Sequence, residues 1–339
     1  MSKVVVSLGE LMMRLKPVDK LRLRQAQSFE VCHGGGEANV AVSLACMGID
    51  SRFVSALPPT ELGEQATIFL RGYGVDVSQI SRIEGRMGLY FMEAGADYRS
   101  GCVVYDRDNS SFTNLEASSI DWDAAFKDAG WFHISGITPA ISIETRDLAV
   151  QSVKEAKARG VHISVDLNHR ERLWQYGQSA DQVMPEIVEM ADTLIAGRGD
   201  CRACLGFSPE GDGSEDGWYE ELSAEAMRRY PNLERVAVTI RNSTSAERHH
   251  WKAHMRTATE SIFSRAYDMQ NVIDRVGTGD AFSAGFIYGC FTGRSSEDTL
   301  NFAAAANCLK HTIIGDANLV SAAEIDELAN STTLGRLRR

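Results

Sequence analysis

The chain has 339 residues, 44% hydrophobic and 24% charged, enough to bury a sizeable core as one large domain with an appendage or as two domains. Its 46 acidic residues outnumber 35 Lys and Arg, and the net charge of −11 argues against non-specific binding to nucleic acid or an anionic membrane. No apolar run is long enough to span a bilayer, and seven cysteines, an odd number spread along the chain, fit reduced thiols and a cytoplasmic location.

Taken in order, Val4–Leu8 reads as an apolar strand and 38–47 as a small-residue helix ending at Gly48. Strand 52–56 and an amphipathic helix over 61–73, closed by Gly74, follow. Next come strand 131–135, helix 143–159 before Gly160, and strand His162–Asp166. Helix 180–190 leads to strand 193–196, and helix 223–230 leads to strand 235–240. Strands alternating with helices that end in glycine predict an α/β fold with a parallel sheet covered on both faces. Two stretches break this rhythm. Segments of about 10–32 and 87–113 alternate polar and apolar residues, as in Gly101-Cys102-Val103-Val104-Tyr105, and predict a small antiparallel sheet lying as a lid over a site. Residues 207–217 read as a loop. The domain is expected over 1–330, with a polar tail at 331–339. Cys201 and Cys204 read as plain thiols and His250 and His254 as surface histidines, all without metal.

The most informative stretch is Ile273-Asp274-Arg275-Val276-Gly277-Thr278-Gly279-Asp280-Ala281-Phe282, an extended segment, a glycine turn and an apolar helix. Gly277 and Gly279 let backbone N–H groups converge, and a helix starting near Asp280 adds unpaired N–H groups and its positive end, which suits an anion. A carboxylate in an anion site is electrostatically unfavourable unless it performs a task there, such as removing a proton from a hydroxyl beside a phosphate. Seen alone, the segment also reads as a helix start capped by Asp280. The helix it opens is small or apolar nearly all round, with Gly285 and Gly289 four apart, so it is expected to be buried. A second glycine-rich helix start, His33-Gly34-Gly35-Gly36-Glu37-Ala38-Asn39, also reads as a hinge when taken alone. Together, one start suits a polyhydroxylated substrate and the other its phosphate donor.

These two segments resemble the two signatures of the ribokinase-like, PfkB-type carbohydrate kinases, and the resemblance runs over most of the chain. Further pieces resemble one branch, the 2-keto-3-deoxygluconate kinases: Gly9-Glu10 with Met13-Arg14-Leu15, Asp166-Leu167-Asn168-His169-Arg170, Thr239-Ile240-Arg241-Asn242-Ser243, and the run from Cys308 to Gly315-Asp316. The resemblance implies a three-layer sandwich with a central mostly parallel sheet, and a β-lid that often serves in dimerisation. It implies ATP and Mg²⁺ as cofactors and phosphorylation of the terminal hydroxyl of a sugar acid, 2-keto-3-deoxygluconate, to its 6-phosphate. A fructose-like sugar, a deoxy-inositol derivative, or a weakened sugar-binding role are the alternatives.

By the same resemblance Asp280 is the base, with the backbone of Gly277, Thr278 and Gly279 stabilising transferring charge. Gly34, Gly35, Asn39, Tyr90, Tyr105, Arg107 and Arg170 would contact the sugar acid, a guanidinium being a planar, paired-donor match for a carboxylate. Asn168, Thr239, Arg241, Ser243 and Asn307, with Gly277 and Gly279, would face the nucleotide. Two departures stand out. The family's metal-organising Asn-x-x-Glu is Gly197-Arg198-Gly199-Asp200 here, leaving Asp200 as the metal candidate, and Asp274-Arg275 replaces an Asp-Thr that often supports a monovalent cation, so potassium activation is not expected.

Overall fold

The computed structural model describes residues 3–330, so the tail expected at 331–339 lies outside the described residues. The elements are β1 (Val4–Leu8), β2 (Met12–Pro17), β3 (Phe29–Gly34), α1 (Gly36–Cys46), β4 (Ser51–Leu57), α2 (Glu61–Gly72), β5 (Ile80–Arg82), β6 (Leu89–Glu93) and β7 (Cys102–Asp106). They continue with α3 (Trp122–Ala125), β8 (Ala129–Ser135), α4 (Ile143–Ala158), β9 (His162–Asp166), α5 (Ala180–Val188), β10 (Thr193–Gly197), α6 (Asp200–Leu205) and α7 (Asp216–Arg229). Last come β11 (Arg235–Ser243), β12 (His249–Thr257), β13 (Ser261–Phe263), β14 (Tyr267–Met269), α8 (Thr278–Phe291), α9 (Ser296–Lys310) and α10 (Ala322–Asn330).

The large sheet runs in the order β13-β12-β11-β10-β9-β8-β1-β4-β5, with β14 also pairing β12. From β11 to β5 every pairing is parallel, and only β12 runs the other way, antiparallel to β11, β13 and β14. Runs such as Val-Val-Val-Ser-Leu in β1 are almost wholly buried because helices cover both faces. Helices α4, α5 and α7 contribute Leu148, Ile187 and Leu222 to the core on one face. On the other, α1, α8 and α9 contribute Leu44, Phe282, Phe286 and Phe302. Burying each such side chain is worth about 1.5–3 kcal/mol. The chain leaves β1 toward β4 on one side and resumes at β8 on the other. The C-terminal ends of the parallel strands therefore flank a crevice where the strand order reverses, the usual ligand position in such sheets.

The lid is a separate four-stranded sheet, β3-β2-β6-β7. Its outer pairs are antiparallel, but the central pair β2–β6 is parallel, with Arg14 opposite Tyr90. That follows from chain order: α1, β4, α2 and β5 lie between β3 and β6, and such a crossover permits parallel pairing where a tight turn does not. Helix α7 begins at Asp216, inside the stretch read as loop and seven residues before the expected start, because Tyr219, Leu222 and Ala226 already form a buried stripe. Strand β11 extends three residues past its expected end to form a nine-pair hairpin with β12. His254, read as a surface residue, is buried on β12 beside Ser261, whereas His250 pairs with Asp268. Cys201 and Cys204 are buried free thiols. No helix among the described residues is long and apolar enough to cross a membrane.

Helix α8 is buried as its composition requires, and its glycines set how closely α9 approaches. A Cβ on Gly289 would lie 2.7 Å from the Thr299 side chain and 2.9 Å from its Cα. Gly289→Val is expected to destabilise the protein by about 1–3 kcal/mol through overpacking. A urea midpoint equal to that of the parent protein would contradict this account.

Candidate active site

The turn before α8 is built by its own side chains. Asp274 accepts the Val276 N–H through Oδ1 at 3.1 Å, and the Thr278 hydroxyl donates to the Arg275 carbonyl at 3.1 Å. Gly277 caps the helix with φ 76°, and a Cβ there would fall 1.8 Å from the Asp316 carbonyl oxygen. No other residue type fits. The first bond within the helix is from the Ala281 N–H to the Gly277 carbonyl at 2.9 Å, so the N–H groups of Thr278, Gly279 and Asp280 have no partner on the preceding turn. Asn307 on α9 braces this turn by donating to the Thr278 carbonyl at 2.8 Å.

The second glycine-rich start meets the first. Gly35 precedes α1 in contact with the Glu10 backbone, where a Cβ would lie 2.0 Å from the carbonyl oxygen. One turn into α1, the Asn39 Nδ2 donates to Asp280 Oδ2 at 2.7 Å. Asn39, expected to reach sugar hydroxyls, lines the cavity and with its amide also orients the Asp280 carboxylate. Beside it, Glu37 is fully buried and locks α1 to the end of β8 by accepting from the Ser135 N–H and hydroxyl and from Thr138.

A cavity of about 610 Å³ opens at these two starts and at the ends of β9, β10 and β11. Gly277, Thr278, Gly279 and Asp280 line it, as do Gly35 and Asn39. The lid contributes Tyr90 and Tyr105, and the strand ends contribute Asn168, Arg170, Asp200, Thr239 and Arg241, with Asn307 below. Asn168 holds φ 34° and donates its N–H to Asp166 Oδ1 at 3.1 Å, a turn that a short polar side chain stabilises.

Three expected residues stand outside this lining. Arg107 is buried against Glu10, its Nε donating to Oε2 at 2.8 Å, so its charge is neutralised within the protein. Gly34 abuts the Asp316 carboxylate, and Ser243 bonds His249 at 2.7 Å at the exposed end of the β11–β12 hairpin. The cavity also includes Asp166, Arg198, Arg275 and Asp316, which are not among the site residues expected from the sequence. All four sit inside motifs legible in the chain, but only folding shows that they converge.

The charges are segregated. Arg170, Arg198, Arg241 and Arg275 are exposed along the cavity wall, and none forms an ion pair among the described residues. Arg241 has its pKa lowered, first by loss of hydration within the cleft and then by the nearby charges of Arg275 and Arg170. Unpaired guanidiniums so close call for an anionic ligand. On the acidic side, Asp280 opens only onto the confined space of the cavity. Desolvation pushes its carboxyl up to about 7 against the opposing effects of Asn39 and Arg170. Asp166, enclosed and facing Asp200 and Asp280, is likewise pushed up to about 7. An acid poised there suits proton transfer near neutral pH.

Residues 2–321 match the model of the pfkB family carbohydrate kinases. The chain belongs to that family and is a carbohydrate kinase. The 2-dehydro-3-deoxygluconokinase of Thermotoga maritima has a solved structure similar to this one, with TM-score 0.92 and 41% identity over 98% of this chain and 99% of that one. A 2-dehydro-3-deoxygalactonokinase of Haloferax volcanii is 30% identical over 99% of both chains. A 2-dehydro-3-deoxygluconokinase of Bacillus subtilis is 27% identical over 92% of this chain and 90% of its own.

The raised carboxyls carry a stability consequence. Their folded forms hold a proton more tightly than the unfolded chain does, so their contribution is fully present below about 3.8 and is lost as pH rises through about 7. Asp280→Asn removes part of that loss. The variant, without ligand, is expected to melt above the parent protein at pH above about 7 and to show a flatter decline of Tm with pH. Parallel Tm–pH curves for the two proteins would contradict the assignment.

Proposed function

We propose that this kinase uses ATP to phosphorylate the terminal hydroxyl of a 2-keto-3-deoxy sugar acid, with the gluconate-configured acid as first substrate and its 6-phosphate as product. The observation that carries this reading is the placement of Asp280: a carboxylate at the bare N-terminus of α8, held by Asn39 and facing unpaired guanidiniums. Asp280 takes the proton of the hydroxyl as it attacks the γ-phosphate. The N–H groups of Thr278 and Gly279 and the positive end of α8 stabilise the charge spread over the transferring group. Arg241 and Arg275 meet the phosphates beside Asn168, Thr239 and Asn307, and Arg198 lies along the same wall.

On the lid side, Tyr90 and Tyr105 enclose the sugar. Arg170, whose charge acts on both Asp280 and Asp166, pairs with the substrate carboxylate. A neutral sugar would leave that guanidinium unpaired, which favours an acid over a fructose-like substrate. The names of the relatives divide between gluconate- and galactonate-derived acids, so the epimer is open to direct assay.

Magnesium would fit this cavity through its water. No group of three or more acidic, His or Cys side chains that could hold a metal ion is present among the described residues. Asp166 and Asp200 line the cavity, and Asp200 already accepts the Gly197 N–H at 2.6 Å. They would hold Mg²⁺ through its water, with phosphate oxygens completing the shell, and the ion would supply charge neutralisation.

The lid's outer face, away from the cavity, carries Phe29, Val31 and Val104 exposed, with Phe29 packed edge-on against Phe91. We infer that a second copy of the chain covers this face. Val31→Glu is expected to convert a dimer to a monomer by light scattering, whereas an unchanged mass would sink that inference.

ADP release measured over a panel of sugars and sugar acids tests the substrate class. Turnover is expected with 2-keto-3-deoxy acids, and absence of turnover with every acid would refute it. Asp280→Asn should lower kcat by about 10²–10⁴-fold while leaving the KM for ATP nearly unchanged. Arg170→Ala should act mainly on the KM for the acid, raising it about tenfold, and equal losses on acids and neutral sugars would remove its role in selecting acids.

A further inference from the structure

One side chain of the lid reaches the turn beneath the proposed phosphate site. Arg14, on β2, is among the largest fully buried side chains, with only 1% of its surface exposed. Its Nη1 donates to Asp316 Oδ1 at 2.7 Å and its Nη2 bonds Asp274 Oδ2, both carboxylates being 3% exposed. Each carboxylate is tied down further. Asp274 accepts from the N–H groups of Val276 and Gly315, and Asp316 accepts from the Tyr90 hydroxyl of β6. Burial works against the charge on Arg14, yet the two carboxylates outweigh it and its pKa is raised, so the guanidinium is a permanent cation. Lys310, also buried, donates to the Ile313 carbonyl at 3.0 Å and is acted on by the charges of Asp274 and Asp316.

A single planar fork thus joins three stretches distant in sequence: the lid strand, the turn before α8, and the segment ending at Asp316. The last two meet again where Gly277 rests on the Asp316 carbonyl. The turn that carries the bare N–H groups is therefore held by the two carboxylates that Arg14 places.

Accepting the kinase reading above, we propose that Arg14 is a positioning residue for phosphoryl transfer, touching neither substrate nor phosphate. Through Asp274 and Asp316 it holds the turn before α8 in the register that aims the N–H groups of Thr278 and Gly279 at the transferring group. A lysine keeps the charge but is a point donor unable to fork between two carboxylates, and a methionine keeps the length without the charge.

The test compares Arg14→Met, Arg14→Lys and the double variant Arg14→Met/Asp274→Asn, with kcat expressed per folded molecule. Arg14→Met is expected to lose about 100-fold in kcat with the KM for ATP shifted less than about threefold, and Arg14→Lys to fall between it and the parent enzyme. The double variant, rid of one of the two carboxylates that lose Arg14, is expected to regain part of the thermal stability while kcat stays low, and it carries the test if Arg14→Met does not fold. Hydrogen exchange at the amides of residues 276–280 is expected to quicken in Arg14→Met or, failing that, in Arg14→Lys. A kcat for Arg14→Met within about threefold of the parent, full recovery of kcat in the double variant, or unchanged exchange would each overturn the proposal. If the parent enzyme turns over none of the sugar acids, the proposed substrate class falls instead, and exchange at these amides still decides the role of Arg14.

Discussion

The contact between Asn39 and Asp280 joins two helix N-termini that would otherwise have no reason to face one another. Helix dipoles of the same sign repel when their positive ends converge, and a carboxylate between them offsets that repulsion. The glycines at 35 and 277 are the steric counterpart, because each lies where a Cβ would strike a backbone carbonyl. Removing the carboxylate, the amide or either glycine would leave the other parts without their partners. The crevice of the parallel sheet supplies the location, and this junction supplies the chemistry.

Charge in the cavity is arranged by depth. The acids Asp166 and Asp280 sit inward, where lost hydration raises their pKa values to about 7, while the unpaired arginines sit outward, exposed on the cavity wall. The overall charge of −11 means that this cationic wall is a local exception. Such an arrangement favours an anion at close range without making the whole surface sticky for nucleic acid.

Much of this was legible in the chain, because it rested on local rules. Alternating apolar strands and glycine-ended helices marked the layered fold, and strands β1 and β9 were read to the residue. The two glycine-rich helix starts marked the floor of the cavity. What escaped was non-local. Arg107 has every property of a ligand contact until Glu10, nearly a hundred positions away, is seen to neutralise it. Asn39 lines the cavity, but its bond to Asp280, 241 residues further on, has no local signal. Asp316, Arg198 and Arg275 stood inside recognised motifs without distinction, since no periodicity reveals which side of a loop will face a cavity. The early start of α7 is hidden for a different reason: Gly and acidic residues before it resemble a loop until the buried stripe is counted from Tyr219.

The parallel pairing at the centre of the lid bears on how the molecule is made. Strands β2 and β3 emerge early, but their neighbours β6 and β7 follow only after α1, β4, α2 and β5. Closing that gap early is entropically costly, so the four-stranded sheet is completed late, once the intervening elements have docked on the body. Until then the first hairpin presents an open edge and an unpartnered Arg14 to solvent. A chain arrested at this stage would have neither a closed pocket nor a braced phosphate turn, and its exposed strand edge would be a natural target for chaperones or for self-association.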